Sequence, residues 1–346
     1  MPNTPFDPNS YALKNGNFIG LPYQEEDAQV ILLPVPWEAT VSSNSGTAQG
    51  PETIREASYQ LDLMDWDIPK AWATRIFMPP SSSEVSQWNQ EARALAIQHI
   101  EALEQGKVPN PVWAPSINQY SEQLNQWVYQ QTKDYLAKEQ IVGLIGGEHS
   151  VPFGYLKALA EQYEDFGVLQ IDAHADLRKA YEDLEYSHAS IFYKALEELP
   201  QITQLTQVAL RDMAPAEQEY AQTQVRRIKQ FSMAYIRRQQ FTNHSTFQEI
   251  CTHIVATLPH YVYISFDIDG LDPALCPNTG TPVPGGLNFW EAQYLLVKIH
   301  ESGRRIIGFD LSEVGSGSEW DGNVGARIAY KLSILAQVSR QNRPKK

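Results

Sequence analysis

Cysteine is almost absent: Cys251 and Cys276 are the only two in 346 residues, too few for a disulfide framework. Basic side chains are scarce as well, 27 Lys and Arg against 41 Asp and Glu for a net charge of −14. A chain without clustered Lys and Arg is a poor partner for nucleic-acid phosphates. The negative field suits a cationic small molecule, although steering of this kind does not choose among cations. No apolar run approaches the roughly 20 residues of a membrane-spanning helix, and Met1-Pro2-Asn3-Thr4 carries no basic and apolar leader. A cytoplasmic protein with no membrane partner is expected. Neither an internal repeat nor a low-complexity linker interrupts the chain.

What is present is an apolar fraction of 42%, enough for a substantial core. Residues 1–28, rich in Asn and Pro, read as an irregular arm, and residues 29–346 as a single domain. The segment 65–115 is the least readable, with a Pro-Pro-Ser-Ser-Ser break at 79–83 followed by a helix over 84–105. A second helix is expected over 117–138. Strands are expected at 29–34, 141–145, 167–171, 207–211, 261–266 and 305–311, alternating with helices at 152–163, 188–199, 216–223, 246–258, 289–302 and 322–337. That alternation predicts an α/β domain with a parallel sheet, whose ligands belong at the carboxyl ends of the strands. The basic run Arg226, Arg227, Lys229, Arg237 and Arg238 reads as a solvated face or a subunit contact.

Two acidic clusters follow apolar runs: Asp172-Ala-His174-Ala-Asp176, and Asp267-Ile-Asp269 continuing into Gly270-Leu-Asp272-Pro273. A polar residue at every second position points to one side of an extended backbone. A third element, Gly146-Gly-Glu-His149-Ser150, adds an imidazole after another apolar run. Asp267, Asp269 and Asp272 alone could cap a helix. Capping does not explain why carboxylates terminate the most apolar runs of the chain, where burial without a cation is very costly. Two ions sharing bridging carboxylates use all these donors, whereas one ion would not. The pattern predicts a binuclear metal site that activates water. Cys276 lies in the loop after the second cluster, without an identifiable basic partner to activate it.

These segments, with Ser265-Phe-Asp-Ile-Asp-Gly-Leu-Asp-Pro273 and Thr279-Gly-Thr-Pro-Val-Pro-Gly-Gly286 in the same order, resemble the signatures of the ureohydrolase family of arginases and agmatinases, from about residue 30 to the C-terminal region. The resemblance implies a three-layer α/β/α sandwich with a mostly parallel eight-stranded sheet. It also implies two divalent ions, Mn²⁺ first and Ni²⁺ in some relatives. By it His149, Asp172, His174, Asp176, Asp267 and Asp269 are the metal ligands, Asp172 and Asp267 bridge, and Asp176 also hydrogen-bonds the nucleophile. Glu313 in Phe309-Asp-Leu-Ser-Glu-Val314 matches the carboxylate that holds the guanidinium, and His188 in Tyr186-Ser-His-Ala-Ser190 the proton-shuttling histidine. Thr281 matches the loop threonine near the reacting end.

For the substrate, the resemblance points to a guanidino compound, first of all agmatine, cleaved to putrescine and urea. Ala214 stands where arginases place a carboxylate for the α-amino group, and Arg178 where they carry an Asn that meets the α-carboxylate. Arg178 is open to two readings: recognition of an ω-guanidino acid such as guanidinobutyrate, or an ion pair with Glu182, Asp183 or Glu185. Arginine and free guanidine are further alternatives. A binuclear phosphoesterase would need a downstream Asn-His pair, yet His244, His253, His260 and His300 lie in helical contexts. A non-catalytic metal-binding oligomer would predict lost ligands. Relatives are commonly trimers or hexamers, so a homo-oligomer is expected.

Overall fold

Eight strands form one sheet in which every pairing is parallel; the computed structural model describes residues 6–342. The strands are β1 (Val30–Val35), β2 (Ile76–Phe77), β3 (Ile141–Gly146), β4 (Phe166–Ile171), β5 (Ile202–Val208), β6 (Ile228–Phe231), β7 (Tyr261–Asp267) and β8 (Arg305–Ser312). The helices between them are α1 (Gly50–Ser58), α2 (Ser83–Glu104), α3 (Trp113–Ala137), α4 (Phe153–Ala160), α5 (Ile191–Glu198), α6 (Pro215–Thr223), α7 (Met233–Asn243), α8 (Phe247–Ala256), α9 (Phe289–Glu301) and α10 (Glu319–Ser339).

The strand period of two divides the interior into two cores. Along β1, Val30 and Leu32 pack with α1, α8, α9 and α10, while Ile31, Leu33 and Val35 pack with α2, α3, α4 and α5 on the other face. Burial on both faces explains why β1 and β3 read as unbroken apolar runs. The three-layer α/β/α arginase-like architecture follows.

The strand order is β2-β1-β3-β8-β7-β4-β5-β6. The chain builds outward to both edges and then returns, inserting β7 and β8 between β3 and β4. Four adjacent strands at the middle of the sheet therefore end beside one another, and each carries one of the motifs singled out above.

The expected strand at 207–211 is displaced. β5 is Ile202–Val208, because its buried residues include Thr206 and Gln207, polar side chains that conceal an interior strand. The basic run is only partly a solvated face. Arg227 donates to the carbonyls of Leu196, Leu199 and Ile202 and Arg237 pairs with Glu291 at 2.8 Å, while Arg226 and Arg238 are exposed.

Residues ahead of β1 also reach the interior. Phe18 is buried, and the Asn17 amide bonds the carbonyls of Leu21 and Ile76 while its oxygen accepts from the Met78 amide. The start of the 65–115 segment is pinned to α10, where the buried Lys331 ammonium lies 2.8 Å from Asp65 and 2.7 Å from Asp67. Removing one partner of a buried pair costs about 3–5 kcal/mol. With the Asp67 side chain 41% exposed, Lys331→Met is expected to lower stability by about 2 kcal/mol. The change should appear as an earlier urea midpoint with unchanged turnover; an unchanged midpoint would show that the pair is energetically neutral.

Candidate metal centre and active-site cavity

At the end of β3 the backbone of Gly147 runs against Trp37. A Cβ at Gly147 would meet the Trp37 carbonyl oxygen at 1.7 Å, so only glycine allows this close approach. The turn sends His149 over the sheet. There Nε2 meets the Ser265 hydroxyl of β7 at 2.8 Å, leaving Nδ1 directed at three carboxylates: Asp172 and Asp176 at 2.9 Å each and Asp267 at 3.4 Å.

The carboxylates do not converge by extended alternation, as their spacing suggested. The Asp172 side chain accepts from the His174 amide at 2.6 Å, and that of Asp267 from the Asp269 amide at 2.8 Å. Each aspartate at a strand end folds the chain back on itself by capturing the amide two residues on. Asp267 thereby starts a tight turn over Ile268–Gly270, and Asp176 sits at φ 53°, a strained conformation for a non-glycine residue. Ala173 N–H donates to Asp269, which ties the two clusters together. The second imidazole, His174 Nδ1, lies 3.0 Å from Asp269 and 3.6 Å from Asp172.

Two groups of donor atoms result, His149 with Asp172 and Asp267, and His174 with Asp172 and Asp269, the members of each lying within 4.8 Å of one another. Asp172 belongs to both. Its orientation is fixed from β4, where the Gln170 amide donates to Oδ2 at 2.8 Å. Gln207 of β5 donates to Gln170, and Gln230 of β6 to Gln207, so an amide ladder crosses three strands to reach this carboxylate.

The donor set fits cations. His149 Nδ1 makes no hydrogen bond despite its close approach to two carboxylate oxygens, the arrangement of donors facing a common centre rather than each other. Among the described residues no Lys or Arg pairs with any of the four aspartates, all of them buried. Two divalent ions would neutralise them. Burial and the Asp172 charge push the Asp176 carboxyl up to about 8. Burial, with the charges of Asp269 and Asp172, raises Asp267 well above the usual carboxylate range. Asp172 goes the other way, since His149 and His174 outweigh its burial and hold it low. Burial alone would depress His174, yet Asp269 and Asp172 carry it to about 12.

Glu313 stands beside this cluster at the end of β8, with φ 64°. Its Oε1 accepts the His149 amide at 2.9 Å, and Oε2 is buried without a partner. Glu313 lines a cavity of about 490 Å³ together with His174, Asp176, His188, Arg178 and Thr281. Burial, together with the charges of His174 and His149, pushes His188 down to about 4, so its ring is neutral near pH 7. Arg178 stacks on Tyr181 with its guanidinium carbon 4.6 Å from the ring centroid and lies 3.8 Å from Glu217. The carboxylate within ion-pair distance is thus Glu217, not Glu182, Asp183 or Glu185. Cys276 lies outside this cavity, buried with its thiol directed at the Ile268 carbonyl.

The arginase family model matches residues 28–336 of this sequence. The chain belongs to the arginase family. Members of the arginase family use a binuclear divalent metal centre, and the two His/Asp groups are the residues of this chain that could hold one. An N(1)-aminopropylagmatine ureohydrolase of Thermus thermophilus is 28% identical over 311 residues, 89% of this chain and 90% of that protein. An agmatinase of Pyrococcus horikoshii is 26% identical over 318 residues, 90% and 89% of the two chains. The solved agmatine ureohydrolase of Thermoplasma volcanium superposes with a TM-score of 0.70 at 19% identity, covering 93% of this chain and 94% of its own.

The cavity of this arginase-family chain also holds residues that sequence reasoning passed over. Asp212 is an exposed carboxylate of the cavity wall, two positions before Ala214 in a segment already compared with arginases. Glu148 and Thr40 lie buried behind His188; Glu148 had been visible only as the neighbour of a ligand, and nothing in its apolar setting announced Thr40.

Proposed function

We propose that the protein hydrolyses a guanidino compound to urea and an amine, with agmatine the preferred substrate and putrescine the amine product. One observation carries this reading: Glu313, whose Oε2 is buried without a partner, lines the same cavity as His149, Asp267 and His174 of the two donor groups that share Asp172. A planar guanidinium is matched by a carboxylate through charge-assisted hydrogen bonds. In this reading His149, Asp172, His174, Asp176, Asp267 and Asp269 would hold two divalent ions, Mn²⁺ or Ni²⁺. When bound, such a pair supplies a water ionised near neutral pH.

The remaining work falls to the side chains. Glu313 fixes the guanidinium plane so that its carbon faces the attacking water, and Asp176 accepts a hydrogen bond from that water. As the bond from the carbon to the alkyl nitrogen breaks, His188 passes to the leaving nitrogen a proton that originates on the attacking water, and the nitrogen departs as the amine. Thr281 lines the cavity near the reacting end. Asp212 supplies the negative charge that meets the distal ammonium of agmatine. The reading also includes a homo-oligomer, trimer or hexamer, which rests on the family resemblance, and a cytoplasmic location.

The test is urea release from agmatine, arginine, guanidinobutyrate, guanidinopropionate and guanidine after loading with Mn²⁺ or Ni²⁺. Agmatine is expected to give the highest kcat/KM. Because Glu217 and Tyr181 engage Arg178, Arg178→Ala should affect stability more than selectivity. A guanidino acid preferred about tenfold over agmatine, with that preference lost in Arg178→Ala, would replace agmatine as the substrate and assign Arg178 to the acid's carboxylate.

A further inference from the structure

Behind His188 lies a buried hydrogen-bond chain that the reaction above does not use. Thr40 and Glu148 are both fully buried. Glu148 receives the Thr40 amide on Oε2 at 2.8 Å, and on Oε1 the Thr40 hydroxyl at 2.8 Å and the Ser150 hydroxyl at 2.6 Å. On its other side Thr40 Oγ1 accepts the His188 backbone amide at 3.1 Å and lies 3.2 Å from His188 Nδ1. Tyr181 meets the imidazole edge-on, with centroids 5.8 Å apart, on the ring that lines the cavity.

A hydroxyl has one proton to give. Thr40 directs that proton to Glu148, so toward His188 it can only accept. A neutral imidazole that bonds such an oxygen through Nδ1 must carry its proton there. Its lone pair is then on Nε2, at the far side of the ring. We propose that Thr40, held by Glu148, is the positioning residue that locks His188 in the Nδ1–H form and leaves Nε2 to take up a proton and pass it to the leaving nitrogen. The inference rests on His188 being the proton-returning group. Without the Thr40 hydroxyl the ring can rotate, or carry its proton on Nε2, where a neutral ring can no longer accept one.

Thr40→Val keeps the shape and removes the hydroxyl, while Thr40→Ser keeps the hydroxyl. Both should be compared with His188→Asn and with the Thr40→Val, His188→Asn double variant, each loaded with metal and assayed for urea. His188→Asn is expected to lower kcat by at least about 100-fold. Thr40→Val is expected to lower kcat by about 10- to 100-fold with KM within about twofold and metal content per chain unchanged, and Thr40→Ser to recover most of the loss. In the His188→Asn background Thr40→Val should lower kcat no further, since the proposed effect of the hydroxyl on turnover runs through the His188 ring. If His188→Asn is impaired while Thr40→Val turns over like the wild type, or if Thr40→Val slows both backgrounds equally, the positioning role is wrong and the role of His188 stands. A His188→Asn variant with wild-type turnover would overturn both.

Discussion

Asp172→Ala is expected to leave a folded protein that has lost at least one of two metal ions per chain and turns over at less than about one-thousandth of the wild-type rate. Both donor groups contain Asp172, so its loss takes a ligand from each at once. With fewer protein ligands an ion is held less firmly in competition with water. The fold should survive, because the side chain adds charge rather than apolar packing to the interior and its removal relieves repulsion among buried carboxylates. Elemental analysis of metal per chain, urea release and circular dichroism together read the outcome. Fully active wild-type protein carrying one ion or none would end the two-ion model, and so would an Asp172→Ala variant retaining two ions and more than a tenth of the activity.

Glu313→Gln should behave in the opposite way, keeping the metals and losing the substrate. The glutamine retains an oxygen for the His149 amide, so the link to the cluster persists, and its shape suits the same place on the β8 turn. What disappears is the negative charge of a cavity-lining side chain whose Oε2 is otherwise unpartnered. A charge-assisted hydrogen bond is worth about 1.5–3 kcal/mol, so kcat/KM should fall by roughly 10- to 150-fold or more. Steady-state kinetics beside metal analysis separates this from ligand loss. Activity within about twofold of the wild type would remove Glu313 from the guanidinium site.

The parallel sheet was legible because β3, β4 and β7 are apolar runs ending in turn residues, and a strand buried on both faces can be little else. β2 was not legible, since the two residues Ile76–Phe77 carry no period. β6, Ile-Lys-Gln-Phe at the sheet edge, was hidden inside the basic run. α7 was missed because only Met233 and Ile236 are buried, too few to mark a face. At the site, the six candidate ligands stood out because chemistry concentrates unusual residues in short segments, and the structure brings all six together. The reason they converge did not stand out, because it lies in backbone turns closed by the aspartates themselves. Thr40 and Glu148 were missed for a different reason: their significance is a mutual contact across 108 positions, and no local pattern encodes it.

The return of β7 and β8 to the middle of the sheet sets an order of events during synthesis. Each donor group takes a member from the end of β7 or the turn after it, Asp267 in one and Asp269 in the other. A nascent chain that has delivered only β1 to β6 already carries His149, Asp172, His174 and Asp176, but neither group is whole. The strands that bear His149 and Asp172 become neighbours of β8 and β7, not of each other, and they gain those neighbours only when nearly the entire chain has emerged. In the proposed reading, ion capture would therefore wait for completion of the sheet.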